Sequence, residues 1–319
     1  SRRDKQDSLI EYTIQPSNPS AHIFSVQLNI AKPTPTGQVL SLPAWIPGSY
    51  MIREFSKNIV SIRAYSGSKE LELTRLSKDH WQVEPHWGMI TIEYDVYAWD
   101  MSVRTAHLDQ SHGYFNGTSV FLQVHGQENE KHDVILKEPT DPLCQGWRVS
   151  TAMKKLDGEL HQFGRYQTEN YDELLDHPVE MGTFELLHFE ARGIPHEVAL
   201  TGKFKFNREK LIADLKKISE VELDFLGAPA DLKRYVYQIM VVGKGYGGLE
   251  HRASTSLICS RDALPRTMDE SSDAYISFLG LCSHEYFHLW HIKRIKPAVF
   301  LPYNLYQEGY TSLLWLFEG

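Results

Sequence analysis

The stretch that most constrains this chain is Cys282-Ser283-His284-Glu285-Tyr286-Phe287-His288-Leu289-Trp290, an H-E-x-x-H pattern inside a run that reads as helix. Residues four apart are neighbours on a helix surface, so His284 and His288 share one face, one above the other. Phe278, Leu281, Cys282 and Phe287 form an apolar stripe around them, which predicts an interior helix. In such a setting an unpaired imidazole or carboxylate must find a partner or give up its charge. Two imidazoles so placed can share one zinc ion, with Glu285 beside them to take a proton from a zinc-bound water whose pKa has come down to about 7. The alternative is a pair of hydrogen-bonded core histidines.

Catalytic zinc commonly has three protein ligands and one open position. A Gly and a His three and six residues past the second histidine would mark a metzincin, but His291 and Arg294 stand there. Two acids further on remain. Glu308 has thermolysin-type spacing but lies in the loop-like segment 302–309, where a solvated carboxylate is at no disadvantage. Glu318 lies in Thr311-Ser312-Leu313-Leu314-Trp315-Leu316-Phe317-Glu318-Gly319, where an ionised acid needs a cation or a partner. Environment therefore selects Glu318 as third ligand, and Glu308 defines the alternative, a thermolysin-like endopeptidase.

A net charge of −8 over 319 residues gives no basic face for nucleic acid. No apolar run reaches the roughly 18 residues of a membrane span. The segment beginning Ser1-Arg2-Arg3-Asp4 lacks the apolar core of a signal peptide, although the non-Met start leaves room for a leader already removed. Cys144, Cys259 and Cys282 are odd in number and far apart, which fits buried free thiols in a reducing, cytoplasmic compartment.

Upstream, the chain is written in strands. His22–Ile30, Met89–Tyr97 and Ser119–Val124 alternate apolar and polar residues, punctuated by prolines and glycines. Residues 180–189 and 196–200 read as two further strands that close this region. The expectation is a β-rich, sandwich-like domain over 1–202, whose Trp45, Tyr50, Trp81, Trp87 and Trp99 serve as core or line a ligand surface. From 203 the pattern changes: Asn207 caps a stretch in which Leu211, Ile212, Leu215 and Ile218 recur at helical spacing. Strands at 234–242 and 253–258 flank the glycine-rich Gly243-Lys244-Gly245-Tyr246-Gly247-Gly248-Leu249-Glu250-His251, and Ser271 or Ser272 caps the helix of the motif. Those glycines fit no nucleotide-binding pattern and mark close approach of another backbone, a substrate's among them. Residues 203–319 thus read as an α+β catalytic domain.

Three separated motifs resemble one family. His284-Glu285-Tyr286-Phe287-His288-Leu289-Trp290 with Lys293-Arg294-Ile295-Lys296-Pro297, then Leu314-Trp315-Leu316-Phe317-Glu318-Gly319, is similar to the glycyl aminopeptidases, gluzincins that often end in a PDZ domain. Gly247-Gly248-Leu249-Glu250-His251 resembles the Gly-x-Met-Glu-Asn strand of aminopeptidase N, with His251 in place of Asn. Leu42–Tyr50 and Asn116-Gly117 resemble the family's β-rich leading domain. The resemblance implies a thermolysin-like catalytic domain in which His284, His288 and Glu318 hold zinc and Glu285 is the general base. It implies that Glu250 holds the substrate's free amine and that Gly247 and Gly248 line the peptide. The implied reaction is release of small N-terminal residues, Gly or Ala, from peptide substrates. Because the chain ends one residue after Glu318, only the first half of that domain is expected, with little activity of its own. A non-catalytic peptide-binding module is the remaining alternative.

Overall fold

The computed structural model describes residues 8–44 and 54–291, the last of these by its backbone alone; Trp45, Tyr50, Pro297, Glu308 and Glu318 lie outside the described residues. The chain divides into two compact units, Ser1–Thr183 and Phe184–Gly319.

The first unit is rich in strands. Its largest sheet has eight, in the order Lys154–Lys155, Gly164–Thr168, His132–Leu136, Ile10–Asn18, Ile23–Ile30, Ile90–Tyr97, Ile59–Ser66 and Lys69–Leu71. The alternation read from the sequence is the cause: along Ile10–Asn18 every second side chain is buried, so one face turns inward. A four-stranded sheet, Arg148–Ser150, Val179–Gly182, His112–Phe115 and Ala106–Leu108, packs against it through Phe24 on Phe115, ring centroids 5.6 Å apart. A third sheet joins Gln123–Val124, Val39–Ser41, His80–Val83 and Leu73–Arg75.

One expected strand changes character. Of Ser119–Val124 only Gln123–Val124 is strand, while Gly117–Ser119 is a 3₁₀ turn in which the Asn116 side chain accepts from Thr118 N. Val120, Phe121 and Leu122 are all buried, so the alternation fails. Three tyrosine hydroxyls replace a partner strand here: Tyr94 donates to Val120 O, Tyr171 to Phe121 O and Tyr12 to Leu122 O, at 2.5, 2.6 and 2.5 Å. A backbone whose carbonyls are satisfied by side chains need not form a ladder.

The second unit is a five-stranded mixed sheet in the order Glu185–Ala191, Ile194–Gly202, Tyr235–Val242, Ser254–Ser260, Tyr246–Glu250, with helices Arg208–Leu226 and Asp273–His291. The two strands expected to close the first domain belong here. Residues 180–189 divide at the unit boundary, with Val179–Gly182 pairing in the first unit and Glu185–Ala191 in the second. Ile194–Gly202 runs parallel to Tyr235–Val242, burying Val198 and Leu200 in the second core. The boundary expected after residue 202 therefore lies after Thr183. Alternation shows that a segment is a strand and leaves its partner unspecified. Asn207 caps the first helix, its side chain accepting from Lys210 N at 3.0 Å, and Ser272 accepts from Tyr275 N at 3.3 Å to begin the second.

Candidate active site

The helix Asp273–His291 is held by one face. Tyr275, Phe278, Leu279, Cys282, Tyr286, Leu289 and Trp290 recur at spacings of three and four and enter the core beneath the sheet. Polar anchors fix its rotation: Tyr275 OH donates to Asp214 at 2.6 Å, and Trp290 Nε1 donates to Gly227 O at 2.7 Å. Midway, Tyr286 OH meets His196 Nε2 at 2.9 Å, while the other nitrogen of His196 meets Ile194 O at 2.8 Å. Burial holds the His196 ring down to about 4. The ring is therefore neutral at pH 7, and the sheet grips the helix between the two motif histidines. Nothing in the local sequence around His196 announced this pairing, which joins residues distant along the chain.

With that face committed to the core, His284, Glu285 and His288 occupy another. The Nε2 atoms of His284 and His288 are 3.2 Å apart, with rings at 83°. Two ligands with bonds of 2.0–2.1 Å to a tetrahedral zinc ion are separated by about 3.3 Å, so the pair has the spacing that ion requires. One donor atom each from Glu250, Glu285 and His288 lies within 4.8 Å of the others, and all three residues are buried. Two buried carboxylates this close repel unless a cation joins them. Burial lowers the His284 pKa, with the Glu250 carboxylate pulling the other way, and this keeps the ring in the neutral form a metal needs. The residues present fit a zinc ion.

Glu250 arrives on Tyr246–Glu250, the edge strand of the sheet, which pairs antiparallel with Ser254–Ser260. Side chains two apart share a face, so Gly248 and Glu250 point the same way and Leu249 points oppositely. A Cβ on Gly248 would come within 2.9 Å of Glu285 Oε1 and 3.1 Å of its Cδ. The missing side chain at 248 is thus clearance for Glu285. A Cβ on Gly247 would meet nothing within 4 Å, which leaves open space beside the strand. The structure thus brings His284, His288, Glu285, Glu250 and Gly248 together and sets Gly247 at their margin, while Glu318 falls outside the described residues.

Two family models match the chain: the Peptidase M61 N-terminal domain over residues 11–183 and M61 glycyl aminopeptidase over 277–319. The first covers just over half of the chain, and the protein belongs to the M61 glycyl aminopeptidase family. Among solved structures it is similar to an aminopeptidase N family protein from Idiomarina loihiensis, with 43% identity and a TM-score of 0.87 over 97% of this chain and 52% of that one. Its fold is also similar to aminopeptidase A of Legionella pneumophila, crystallised with aspartic acid, at 13% identity and a TM-score of 0.54 over 97% of this chain and 37% of that one. The chain therefore spans about half the length of the first relative and less of the second. No curated protein matches it. No helix among the described residues is long and apolar enough to cross a membrane.

Proposed function

We propose that the protein, at its full natural length, is a zinc-dependent aminopeptidase that removes small residues, Gly or Ala, from the N-terminus of peptides. The observation that carries this reading is the constellation of two imidazoles 3.2 Å apart, His288 buried and His284 half-buried, with buried Glu250 and Glu285 beside them. Zinc is held by His284 and His288, with Glu318 as the third ligand, in a catalytic domain of thermolysin-like arrangement that begins at Phe184. Once bound, zinc polarises the scissile carbonyl and makes water acidic enough to attack it.

This chain's residues do the rest. Glu285 takes a proton from the attacking water as its oxygen bonds to the carbonyl carbon, then gives it to the departing amine nitrogen as the C–N bond breaks. Burial and the tight fit against Gly248 keep the carboxylate aimed. Glu250 binds the substrate's α-ammonium at a fixed distance from the reacting carbonyl, which restricts cleavage to the first peptide bond. The outer edge of Tyr246–Glu250, which has no neighbouring strand among the described residues, pairs with the peptide backbone, and the open side of Gly247 admits it.

The test is turnover of alanyl-p-nitroanilide beside an amine-blocked peptide. Glu250→Gln is expected to reduce exopeptidase turnover at least a hundredfold with zinc content unchanged. Undiminished aminopeptidase turnover in that variant would remove Glu250 from amine recognition and favour endopeptidase chemistry.

A further inference from the structure

The hairpin between strands Ala106–Leu108 and His112–Phe115 in the first unit carries a separate group of donors. One donor atom each from His107, Asp109 and His112 lies within 4.8 Å of the others. His107 and His112 are 2% and 6% exposed, so both imidazoles are inside the protein rather than on a solvated turn. Their rings stack at 4.9 Å and 25°, and Trp99 stacks on His107 at 4.9 Å.

Turn formation explains half of Asp109. Its Oδ1 accepts from Ser111 N at 2.7 Å, Ser111 Oγ at 2.5 Å and His112 N at 3.1 Å, which pins the hairpin. Its Oδ2 is left to face His107 Nε2 at 3.0 Å. The other ring nitrogen of His107, Nδ1, is buried with no hydrogen-bond partner among the described residues. An ion taking the place of the Nε2 hydrogen bond would bind that nitrogen and leave the ring proton on Nδ1, so Nδ1 is not itself a donor to the cluster. His112 is backed instead, with Nδ1 meeting Glu180 Oε1 at 2.9 Å. A carboxylate on the far nitrogen is the usual support of a metal-ligating histidine: it fixes ring orientation and leaves Nε2 for the ion.

We propose that His107, Asp109 and His112 form a binding site for a divalent transition-metal ion, zinc foremost, with Glu180 orienting His112. Two imidazoles and a carboxylate suit zinc and its neighbours in the first transition row and are a poor match for calcium or magnesium. The donors lie within 4.8 Å of one another, against about 3.3 Å between ligands of a tetrahedral ion, and the His107–Asp109 hydrogen bond at 3.0 Å is the contact the ion would replace. All three donors come from one short H-x-D-x-x-H segment, so binding needs no rearrangement of distant chain. The bound ion would tie the hairpin, through Glu180, to strand Val179–Gly182.

The experiment removes the motif histidines so that a single site is read. Protein carrying His284→Ala and His288→Ala is stripped with chelator, titrated with Zn²⁺, and followed by bound-metal analysis and thermal unfolding. It is expected to retain one equivalent of zinc, with Tm raised by about 5 °C at saturating metal. Adding His107→Gln is expected to weaken zinc binding at least tenfold and abolish the rise in Tm. Asp109→Asn, which keeps Oδ1 and hence the turn, is expected to do the same and decides the question if the histidine variant does not fold. Absence of zinc from the double variant overturns the proposal, as does zinc held equally tightly after Asp109→Asn.

Discussion

Among its described residues the protein presents two clusters of histidine and carboxylate, built in different ways. On the helix, His284 and His288 are brought to 3.2 Å by the helical repeat itself, and one turn of backbone dictates the geometry. On the hairpin, His107 and His112 meet because Asp109 folds the turn, while Glu180, far away in sequence, sets the orientation of His112. The first cluster is local and closed to zinc spacing. The second is held at hydrogen-bonding geometry by a partner from another strand. A helix therefore displays its site in the sequence, whereas a hairpin shows only half.

The largest expected effects lie on the helix. His288→Ala should abolish zinc retention there and lower peptidase turnover by at least about a thousandfold, whereas Asp109→Asn should leave kcat within about twofold. Glu285→Gln should keep the zinc and lower kcat by roughly 10²- to 10⁴-fold, as loss of a general base does. Metal analysis beside steady-state kinetics separates the two classes of variant. Retained activity in His288→Ala would place the chemistry elsewhere.

Next comes Gly248→Ala. The added methyl would sit 2.9 Å from Glu285 Oε1, and buried Glu285 has little freedom to yield. A fall in kcat of about tenfold to a hundredfold is expected with modest change in KM, since a misplaced base slows chemistry more than binding. Gly247→Ala meets open space and should fall well short of that. Equal effects at the two glycines would contradict the clearance role.

On the hairpin side the expected effect is on stability. Glu180 and His112 form a buried pair, and Glu180→Ala strands a buried imidazole, at about 3 kcal/mol in urea unfolding. Burial opposes the charged form of His112, but the Glu180 carboxylate more than offsets it, so the folded pKa is raised above 6.5. The stability this contributes is complete below the unfolded value and is lost as pH rises through the folded one. His132 and His196 act oppositely: burial lowers each to about 4, so their contribution is complete above 6.5 and is lost as pH falls to about 4. These three histidines together favour a maximum near pH 6.5, and His132→Gln should flatten the acid limb of Tm against pH. An acid limb unchanged by that substitution would contradict the assignment.

The smallest expected effect tests a group that serves neither cluster. Both carboxylate oxygens of Glu222, on the helix Arg208–Leu226, are buried without a hydrogen-bond partner among the described residues, and burial raises its pKa well above the ordinary value of 4.5. A carboxyl raised in the folded state favours folding fully below about 4.5 and loses that contribution as pH rises. Glu222→Gln should therefore stabilise the protein by about 1 kcal/mol or more at pH 8 and by less at pH 5. An equal change at both values would mean that the carboxyl is not the titrating group.

The difference between helix and hairpin also explains what the sequence disclosed. The motif helix, its Ser272 cap, the Asn207 cap and the alternation of Ile23–Ile30 and Ile90–Tyr97 are local patterns and stand where the sequence put them. The unit boundary does not, because Glu185–Ala191 alternates like any strand and Ile194–Gly202 is buried on both faces, and only pairing with Tyr235–Val242 assigns them to the second unit. Val120–Leu122 looked like strand because tyrosines distant in sequence supply what a neighbouring strand would. What sets the H-x-D-x-x-H segment at 107–112 apart from an ordinary polar turn is Glu180 and the burial of both rings, neither of which is a local pattern.

The most direct test of the central claim is zinc-edge anomalous diffraction from crystals of the metal-replete protein. The account predicts a strong peak bonded to Nε2 of both His284 and His288 at about 2.0–2.1 Å, with the Glu285 carboxylate beside it but not bonded to it. The lack of a peak at these two imidazoles, whatever the hairpin cluster holds, or a zinc-replete crystal in which they still contact only each other, would contradict it.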